Sequence, residues 1–166
     1  MDMVMCCRER IAEFFGGFAG SDPRYVTFTS NITESLNVVL KGCLRKGMKV
    51  LTSSMEHNAS MRPLRRLEQK GIIELSVIEC DREGVLHLED LRKAMKATLF
   101  DLMVFTHASN ICGTVQDLPG IAAICNEFNV PLVLDSAQTA GVIPVSASEL
   151  NLAALCFTGH KGLMGP

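Results

Sequence analysis

The sequence contains no tryptophan, and aromatic residues make up only 5% of its 166 positions. Apolar residues nevertheless reach 48%, so the core must be built mainly from aliphatic side chains, as is typical of strands that are buried on both faces. No apolar run approaches the roughly 18 residues of a membrane span. The formal net charge is only -2, which gives no electrostatic reason to expect binding to nucleic acid or to an anionic membrane.

Paired cysteine motifs are also missing. None of the seven cysteines forms a CxxC pair, so the sequence predicts no metal site. An odd number of cysteines without a disulfide framework is typical of reduced thiols in a cytosol, so we predict a cytoplasmic protein. We expect most of the cysteines to be buried as small apolar residues. The charged residues within positions 1–15 argue against a signal peptide.

Three familiar ligand-binding loops are absent as well. The sequence has no GxGxxG, no GxxxxGK[ST] and no GxSxG, which argues against a nicotinamide cofactor, a P-loop and an α/β-hydrolase nucleophile elbow.

What the chain does have is an alternation of strand and helix patterns. A short N-terminal segment, residues 1–22, contains a predicted helix, which ends at Gly16-Gly17, and then a turn. Residues 23–166 contain the remaining predicted strands and helices. The predicted strands cover residues 25–29, 49–52, 72–78, 102–106, 131–134 and 155–157. The predicted helices start after Ser30 or Asn31 and at about residues 59, 88 and 117. This alternation predicts an α/β fold with three layers, in which helices cover both faces of a mainly parallel sheet.

Polar residues gather at one edge of this predicted sheet. In such sheets ligands bind outside the carboxyl ends of the strands. The residues that follow predicted strands at that edge are Thr33, His57, Asn110, Asp135, Gln138, Thr158, His160 and Lys161. Because randomly scattered polar residues would not all fall there, the sequence predicts a ligand site at this edge.

Two of these residues suggest the kind of ligand. Lys161 lies in a glycine-flanked turn, and Asp135 ends a buried strand. This pair suits pyridoxal phosphate, which a lysine holds as a Schiff base while an aspartate keeps its ring nitrogen protonated. Taken alone, the two residues are equally consistent with a surface lysine and a helix cap. Likewise, the start of the helix after Asn31 suits a phosphate or an ordinary N-cap, and His57 suits a stacked ring, an acid/base group or a cap.

Five stretches of the chain together resemble the class V aminotransferase superfamily of pyridoxal-phosphate enzymes, and most of all its cysteine desulfurase branch. They are FTSNITESLN (28–37), SMEHNASMRPL (54–64), THASNICGT (106–114), LDSAQTAGVIPV (134–145) and FTGHKGLMGP (157–166). The resemblance implies the large domain of the aspartate aminotransferase type, incomplete at both ends, without the small C-terminal domain.

The resemblance also implies roles for individual residues. Lys161 would be the Schiff-base lysine and Asp135 the partner of the pyridine nitrogen. Gln138 would bond the ring hydroxyl, and His57 would stack on the ring as a second catalytic residue. The phosphate would be held at the start of a helix by Ile32 and Thr33, and by Thr158 and His160. Asn110 would face the ring and the substrate.

The activity implied is conversion of L-cysteine to alanine and an enzyme-bound persulfide, in a homodimer that passes sulfur to an acceptor protein. A transaminase, a selenocysteine lyase and a kynureninase-type lyase stay open, because the cofactor residues serve the ring and not the substrate. The run TAGVIPV lacks a histidine that many family members carry there, and no cysteine matches the sulfur-accepting position. We therefore expect a fragment that is inactive alone, and a non-catalytic truncated domain is a further alternative.

Overall fold

One parallel sheet forms the centre of the structure, a computed structural model that describes residues 2–165. Its strands lie in the order β2-β1-β3-β4-β5, and every described pairing is parallel. The strands are β1 Met48–Ser53, β2 Ile73–Ile78, β3 Leu102–Thr106, β4 Leu132–Asp135 and β5 Ala154–Cys156. The predicted α/β class with a parallel sheet is therefore confirmed.

Six helices connect and flank the strands. They are α1 Met3–Phe14, α2 Phe18–Ser21, α3 Ile32–Cys43, α4 Asn58–Gln69, α5 Leu88–Ala97 and α6 Leu118–Glu127. Side-chain caps fix several of their starts: Asn31 accepts the Glu34 N–H at 2.9 Å, and Asp117 accepts the Gly120 N–H at 3.0 Å. None of the helices described is long and apolar enough to cross a membrane.

Alternating side chains of the strands pack into separate cores on the two faces of the sheet, with a small further cluster of Leu36, Ala59 and Cys156. Met103 and Phe105 of β3 belong to the core under α1, α5 and α6, whereas Leu102 and Val104 belong to the core under α3 and α4. Because successive side chains of a strand point to opposite faces, this division shows that both faces are covered. The helices on both faces give three layers, and they keep the aliphatic side chains of the central strands out of water.

The predicted strand at residues 25–29 is wrong. The chain forms instead a short 3-10 helix, Pro23–Tyr25, whose first turn Asp22 caps by accepting the Arg24 N–H at 2.9 Å. Residues 26–29 then run outside the five-stranded sheet. The β-branched and aromatic composition of residues 25–29 suits a strand. Tyr25 and Phe28 are nevertheless 62% and 47% exposed, so this segment gains little hydrophobic free energy that would favour its pairing with the sheet.

The cysteines are also less buried than expected. Only Cys125 and Cys156 are buried, while Cys6 and Cys80 are half-buried and Cys7, Cys43 and Cys112 are exposed. The expectation failed because three of the exposed or half-buried positions, Cys6, Cys7 and Cys43, lie on the outer sides of α1 and α3. All seven are free thiols.

The N-terminal segment contacts the end of the chain. The Phe15 ring belongs to the larger core, and its centroid lies 4.5 Å from that of Phe157. The Phe15 carbonyl also accepts the Ala147 N–H at 2.8 Å. The boundary at residue 22 stays a prediction, but α1 supports the strand end from which the Lys161 turn leaves.

Replacing Leu134 by alanine should lower the free energy of unfolding by about 2–5 kcal/mol, because this side chain is fully buried in the internal strand β4 and its loss leaves a cavity. Urea unfolding measures the change. Leu99→Ala is the matched control, since Leu99 is 88% exposed, and it should change the value by less than about 0.5 kcal/mol. Equal effects of the two substitutions would contradict the assigned core.

Candidate functional site

A pocket opens where the order of the strands reverses direction. From β1 the chain adds β2 on one side and β3, β4 and β5 on the other, and ligands of parallel α/β sheets bind at such a switch point. The pocket is lined by residues that follow β1, β3, β4 and β5, with one residue from α3: Ile32, Met55, His57, Thr106, Ala108, Ser109, Asn110, Asp135, Ala137, Gln138 and Lys161. The strand ends thus converge on one site, as the sequence predicted.

The structure brings six of the nine candidate residues into this pocket lining, and three lie outside it. The six are Ile32, His57, Asn110, Asp135, Gln138 and Lys161. Thr158 and His160 bond to each other through Oγ1 and Nδ1 at 2.8 Å, one residue from Lys161 in the same turn. Thr33 is exposed in the first turn of α3. The phosphate-binding roles of these three residues stay predictions.

The start of α3 already holds a carboxylate. Glu34 Oε2 accepts the Ser30 N–H at 2.7 Å, and this bond lowers the pKa of Glu34. The Ser30 N–H lies just before Asn31, the N-cap of α3, so Glu34 places a negative charge beside the helix start, and the Asn31 side chain already takes the Glu34 N–H. A phosphate at this helix would have to use the remaining N–H groups or displace the Glu34 side chain.

Asp135 is a buried carboxylate at the floor of the pocket. Its residue is 2% exposed, and Oδ1 accepts the Ala137 N–H at 2.9 Å. Burial raises the pKa of Asp135, whereas the Ala137 N–H and the positive charge of Lys161 act against that rise. A buried anion needs a partner, and this one has a cation nearby and space for a ligand in front of it.

Close backbone contacts hold the Lys161 turn against the loop that follows β4. A Cβ atom on Gly162 would overlap the Ala140 carbonyl oxygen, and a Cβ on Gly141 would come within 2.6 Å of the Gly162 carbonyl carbon. Gly141 also has a φ of 82°, which favours glycine. The two glycines therefore let the turn that carries Lys161 pack directly beside the segment that carries Asp135 and Gln138.

His57 lies at the opposite side of the pocket, at the N-cap of α4. Its Nδ1 accepts the Ala59 N–H at 3.1 Å, so the ring orientation is fixed and the proton of a neutral ring lies on Nε2. His57 is therefore a helix cap that also lines the pocket, and its role as a stacked ring or an acid/base group stays a prediction. Its ring is exposed towards the pocket that it lines.

A buried chain of side chains supports the segment after β4. His107 Nδ1 contacts Thr139 Oγ1 at 2.8 Å, and Thr139 Oγ1 contacts Ser136 Oγ at 2.7 Å. Burial lowers the pKa of His107, and its backbone N–H donates to the Asp135 carbonyl at 2.9 Å. Sequence reasoning missed this network, although all three residues lie in stretches that follow predicted strands.

Two further residues near the pocket were also missed. Glu56 lies between the pocket residues Met55 and His57, and burial raises its pKa to about 8. Cys112 lies in the loop that carries Asn110, where contacts with the Ser109 and Thr114 hydroxyls lower the pKa of its exposed thiol to about 7. The only sequence signal for either was its position just after a strand.

The donor set of the pocket suits an aromatic nitrogen heterocycle with a carbonyl group better than a metal ion. It offers one amine, one buried carboxylate, one flat imidazole and two amides. Among residues 2–165, no group of three or more His, Cys, Asp or Glu side chains is arranged to hold a metal ion. The parallel α/β/α sandwich with a lysine and an aspartate at its strand ends has the large-domain architecture of pyridoxal-phosphate enzymes of the aspartate aminotransferase type.

Comparison with known proteins agrees with this architecture. The family model for class-V aminotransferases matches residues 1–166. The cysteine desulfurase IscS of Vibrio campbellii is 34% identical over 164 residues, which are 96% of this chain and 39% of that protein. The chain therefore spans about two fifths of the length of the curated relatives that it matches.

Solved structures match the fold over almost the whole chain. The apo structure of a cysteine desulfurase from Thermococcus onnurineus NA1 superposes with a TM-score of 0.88 at 34% identity, covering 98% of this chain and 40% of the other. The structure described as SspA in complex with cysteine gives a TM-score of 0.87 at 26% identity and covers 98% and 46%. The chain belongs to the class-V aminotransferase family, and its similarity is to the cysteine desulfurases of that family.

Gly162→Ala should lower the free energy of unfolding by about 1–3 kcal/mol, because the added methyl group must displace the turn from the Ala140 carbonyl. Urea unfolding gives the value. The control is Gly42→Ala: Gly42 is exposed in α3 with open space around it, and alanine there should raise stability by up to about 1 kcal/mol. An unchanged or more stable Gly162→Ala protein would contradict the close backbone packing.

Proposed function

We propose that this chain forms the cofactor-binding part of a pyridoxal-phosphate enzyme of the cysteine desulfurase type. The observation that carries the proposal is the pocket in which Lys161 and Asp135 lie together with His57. Family membership supports the cofactor, since class-V aminotransferases use pyridoxal phosphate, and the similarity to cysteine desulfurases supports the reaction type.

The residues fit this cofactor by their chemistry. The buried Asp135 carboxylate matches a protonated ring nitrogen, because burying the anion is costly until a cation pairs with it. The glycine contacts hold the turn that carries Lys161 beside the Asp135 segment, and its amine would carry the cofactor's aldehyde carbon in a covalent bond. The His57 ring, fixed through Nδ1, offers a flat surface for stacking and an N–H at Nε2.

When bound, pyridoxal phosphate supplies an electron sink for bonds broken at the substrate's α and β carbons. This chain's own residues would do the rest. Asp135 would keep the proton on the ring nitrogen, and Gln138 would bond the ring hydroxyl with its side-chain amide. The Nζ of Lys161, when it is not bonded to the cofactor, would hold and move protons at the substrate carbons. Asn110, exposed at the rim of the pocket, would contact the substrate.

For the substrate we propose L-cysteine, which would be converted to alanine while its sulfur passes to a cysteine thiol as a persulfide. Relatives described as cysteine desulfurases and a similar structure described in complex with cysteine support this choice. By the same similarity we propose a cytoplasmic homodimer that passes sulfur to an acceptor protein. The activity belongs to a protein of which this chain matches about two fifths.

Purified protein should turn yellow with pyridoxal phosphate, and borohydride should fix the cofactor covalently to Lys161. Absorbance and peptide mass spectrometry measure the two results. Lys161→Ala should abolish the fixed label, because no other lysine lines the pocket. Lys96→Ala is the control, since Lys96 lies in the last turn of α5 and should leave labelling intact. Equal labelling of Lys161→Ala and wild type would refute the assignment.

A protein that contains these residues and binds the cofactor should convert L-cysteine to alanine. With a thiol reductant present, it should also release sulfide. The assay should use both the 166-residue chain and the longest polypeptide that contains it. Selenocysteine, kynurenine and an amino acid with a keto acid acceptor are the competing substrates. If one of these reacts and L-cysteine does not, the desulfurase proposal fails while the cofactor assignment stands.

A further inference from the structure

The strands that border the pocket separate at their carboxyl ends. β1 pairs with β2 at six residue positions, from Met48↔Ile73 to Ser53↔Ile78, but with β3 at only two, Val50↔Leu102 and Leu51↔Met103. β3 and β4, by contrast, stay paired up to Thr106↔Asp135. The separation of β1 from β3 creates the crevice of the pocket and takes the end of β3 out of its ladder with β1.

Two side chains bridge this gap: the Thr52 hydroxyl of β1 donates to the Val104 carbonyl of β3 at 2.9 Å, and Glu56 reaches the end of β3. Glu56, just after β1, extends to β3, and its Oε1 accepts the Thr106 N–H at 2.9 Å. The same oxygen accepts the Ser53 hydroxyl at 3.0 Å. Glu56 therefore does across the gap what a strand neighbour does elsewhere: it satisfies a backbone donor that would otherwise be unpaired.

The other oxygen of Glu56 is sealed. Oε2 has less than 1 Å² of accessible surface and no hydrogen-bond partner among the described residues. A carboxylate needs several donors to stay ionised away from water, and here all of the donors are on one oxygen. An O–H on Oε2 would also lack a partner, but leaving a neutral group unpaired costs far less than burying a charge, so a protonated carboxyl is favoured here.

The charged and titratable groups around Glu56 also favour its protonated form. Asp135 of β4 is the charged group that acts on it, and two carboxyls near one another do not ionise together easily. After β2, the Cys80 thiol is the other neighbour, and its pKa is raised by burial and in part by Glu56. Burial raises the pKa of Asp135 as well, but the Ala137 N–H, His57 and Lys161 act against that rise, whereas the charged group that acts on Glu56 is Asp135 itself. The negative charge is therefore better placed on Asp135 and the proton on Glu56.

Resting on the proposed function, we propose that Glu56 is a positioning residue of the cofactor pocket that works as a neutral acid. It ties the end of β1 to Thr106, next to His57 and Asp135, and it leaves Asp135 as the single carboxylate for the ring nitrogen. Burial, which raises the pKa of Glu56 to about 8, agrees with a neutral carboxyl at neutral pH. None of the roles assigned above to the pocket residues requires this carboxyl.

Glu56→Gln tests the neutral state without the cofactor, because an amide keeps the shape and the acceptor but cannot ionise. A carboxyl whose pKa is raised on folding contributes stability that is complete below its unfolded value and is lost as pH rises through its folded value. Wild type should therefore lose stability relative to Glu56→Gln between about pH 5 and pH 8. The ratio of their unfolding equilibrium constants should change by at least about tenfold, measured by urea unfolding.

Cofactor affinity tests the positioning role. At pH 7, Glu56→Gln should bind pyridoxal phosphate within about threefold of wild type, while Glu56→Ala should bind at least about tenfold more weakly, because the Thr106 N–H is left unpaired. Glu79→Gln, at an exposed site after β2, is the matched control and should change neither the affinity nor the pH dependence. If Glu56→Ala does not fold, the comparison of Glu56→Gln with wild type still tests the proposal.

Two results would overturn the proposal. A tenfold or greater loss of affinity in Glu56→Gln at pH 7 would mean that the ionised carboxylate is needed. Identical pH dependence of unfolding in wild type and Glu56→Gln would mean that Glu56 ionises normally. If wild type itself binds no pyridoxal phosphate, the proposed function fails, and a remaining pH difference would then assign Glu56 a purely structural role.

Discussion

The structure depends on the parallel alignment of strands that are buried on both faces. Because all five strands point the same way, every strand ends at one edge of the sheet, and that edge is where irregular backbone and polar side chains can meet water. The cores on the two faces of the sheet bury all five residues of β3, and the one polar residue among them, Thr106, stands at the carboxyl end of the strand. Chemistry is therefore confined to the ends of the strands and the segments that follow them, and five separate parts of the chain supply side chains to one pocket.

Charge placement in the pocket follows from burial in the same way. Asp135 and Glu56 are both carboxyls behind the pocket, yet their surroundings differ: Asp135 has the Lys161 cation nearby, and Glu56 has a sealed oxygen. Differences of this kind separate two carboxyl groups into an anion and an acid. The same burial keeps the thiols of Cys125 and Cys156 protonated, with pKa values raised to about 12, so none of the buried cysteines competes as a nucleophile at neutral pH.

The sequence was sufficient for the fold class and for the residues that follow regular strands, because hydrophobic patterning is local and parallel topology then brings the strand ends together. Asp135, His57 and Lys161 were found in this way.

The sequence was insufficient wherever packing between distant segments determines the structure. The strand predicted at residues 25–29 failed because no neighbour buries it, and the Gly141–Gly162 contact and the His107–Thr139 bond join segments whose approach no local pattern reveals. Glu56 was missed for a related reason: its importance comes from the separation of β1 from β3, which is a property of the sheet and not of either strand.

These missed features are the ones that make the pocket specific. A lysine and an aspartate at the ends of parallel strands are common to many α/β proteins, and by themselves they would be free to turn towards water. Here the contact of Gly162 with the 140–141 backbone fixes the position of Lys161, the Ala137 N–H and the buried network fix Asp135, and the N-cap bond fixes His57. A ligand that binds among them loses less free energy to ordering the protein, since the Asp135 and His57 side chains and the backbone of the Lys161 turn are already held in place. The supporting contacts therefore carry as much of the functional argument as the residues that would touch the cofactor.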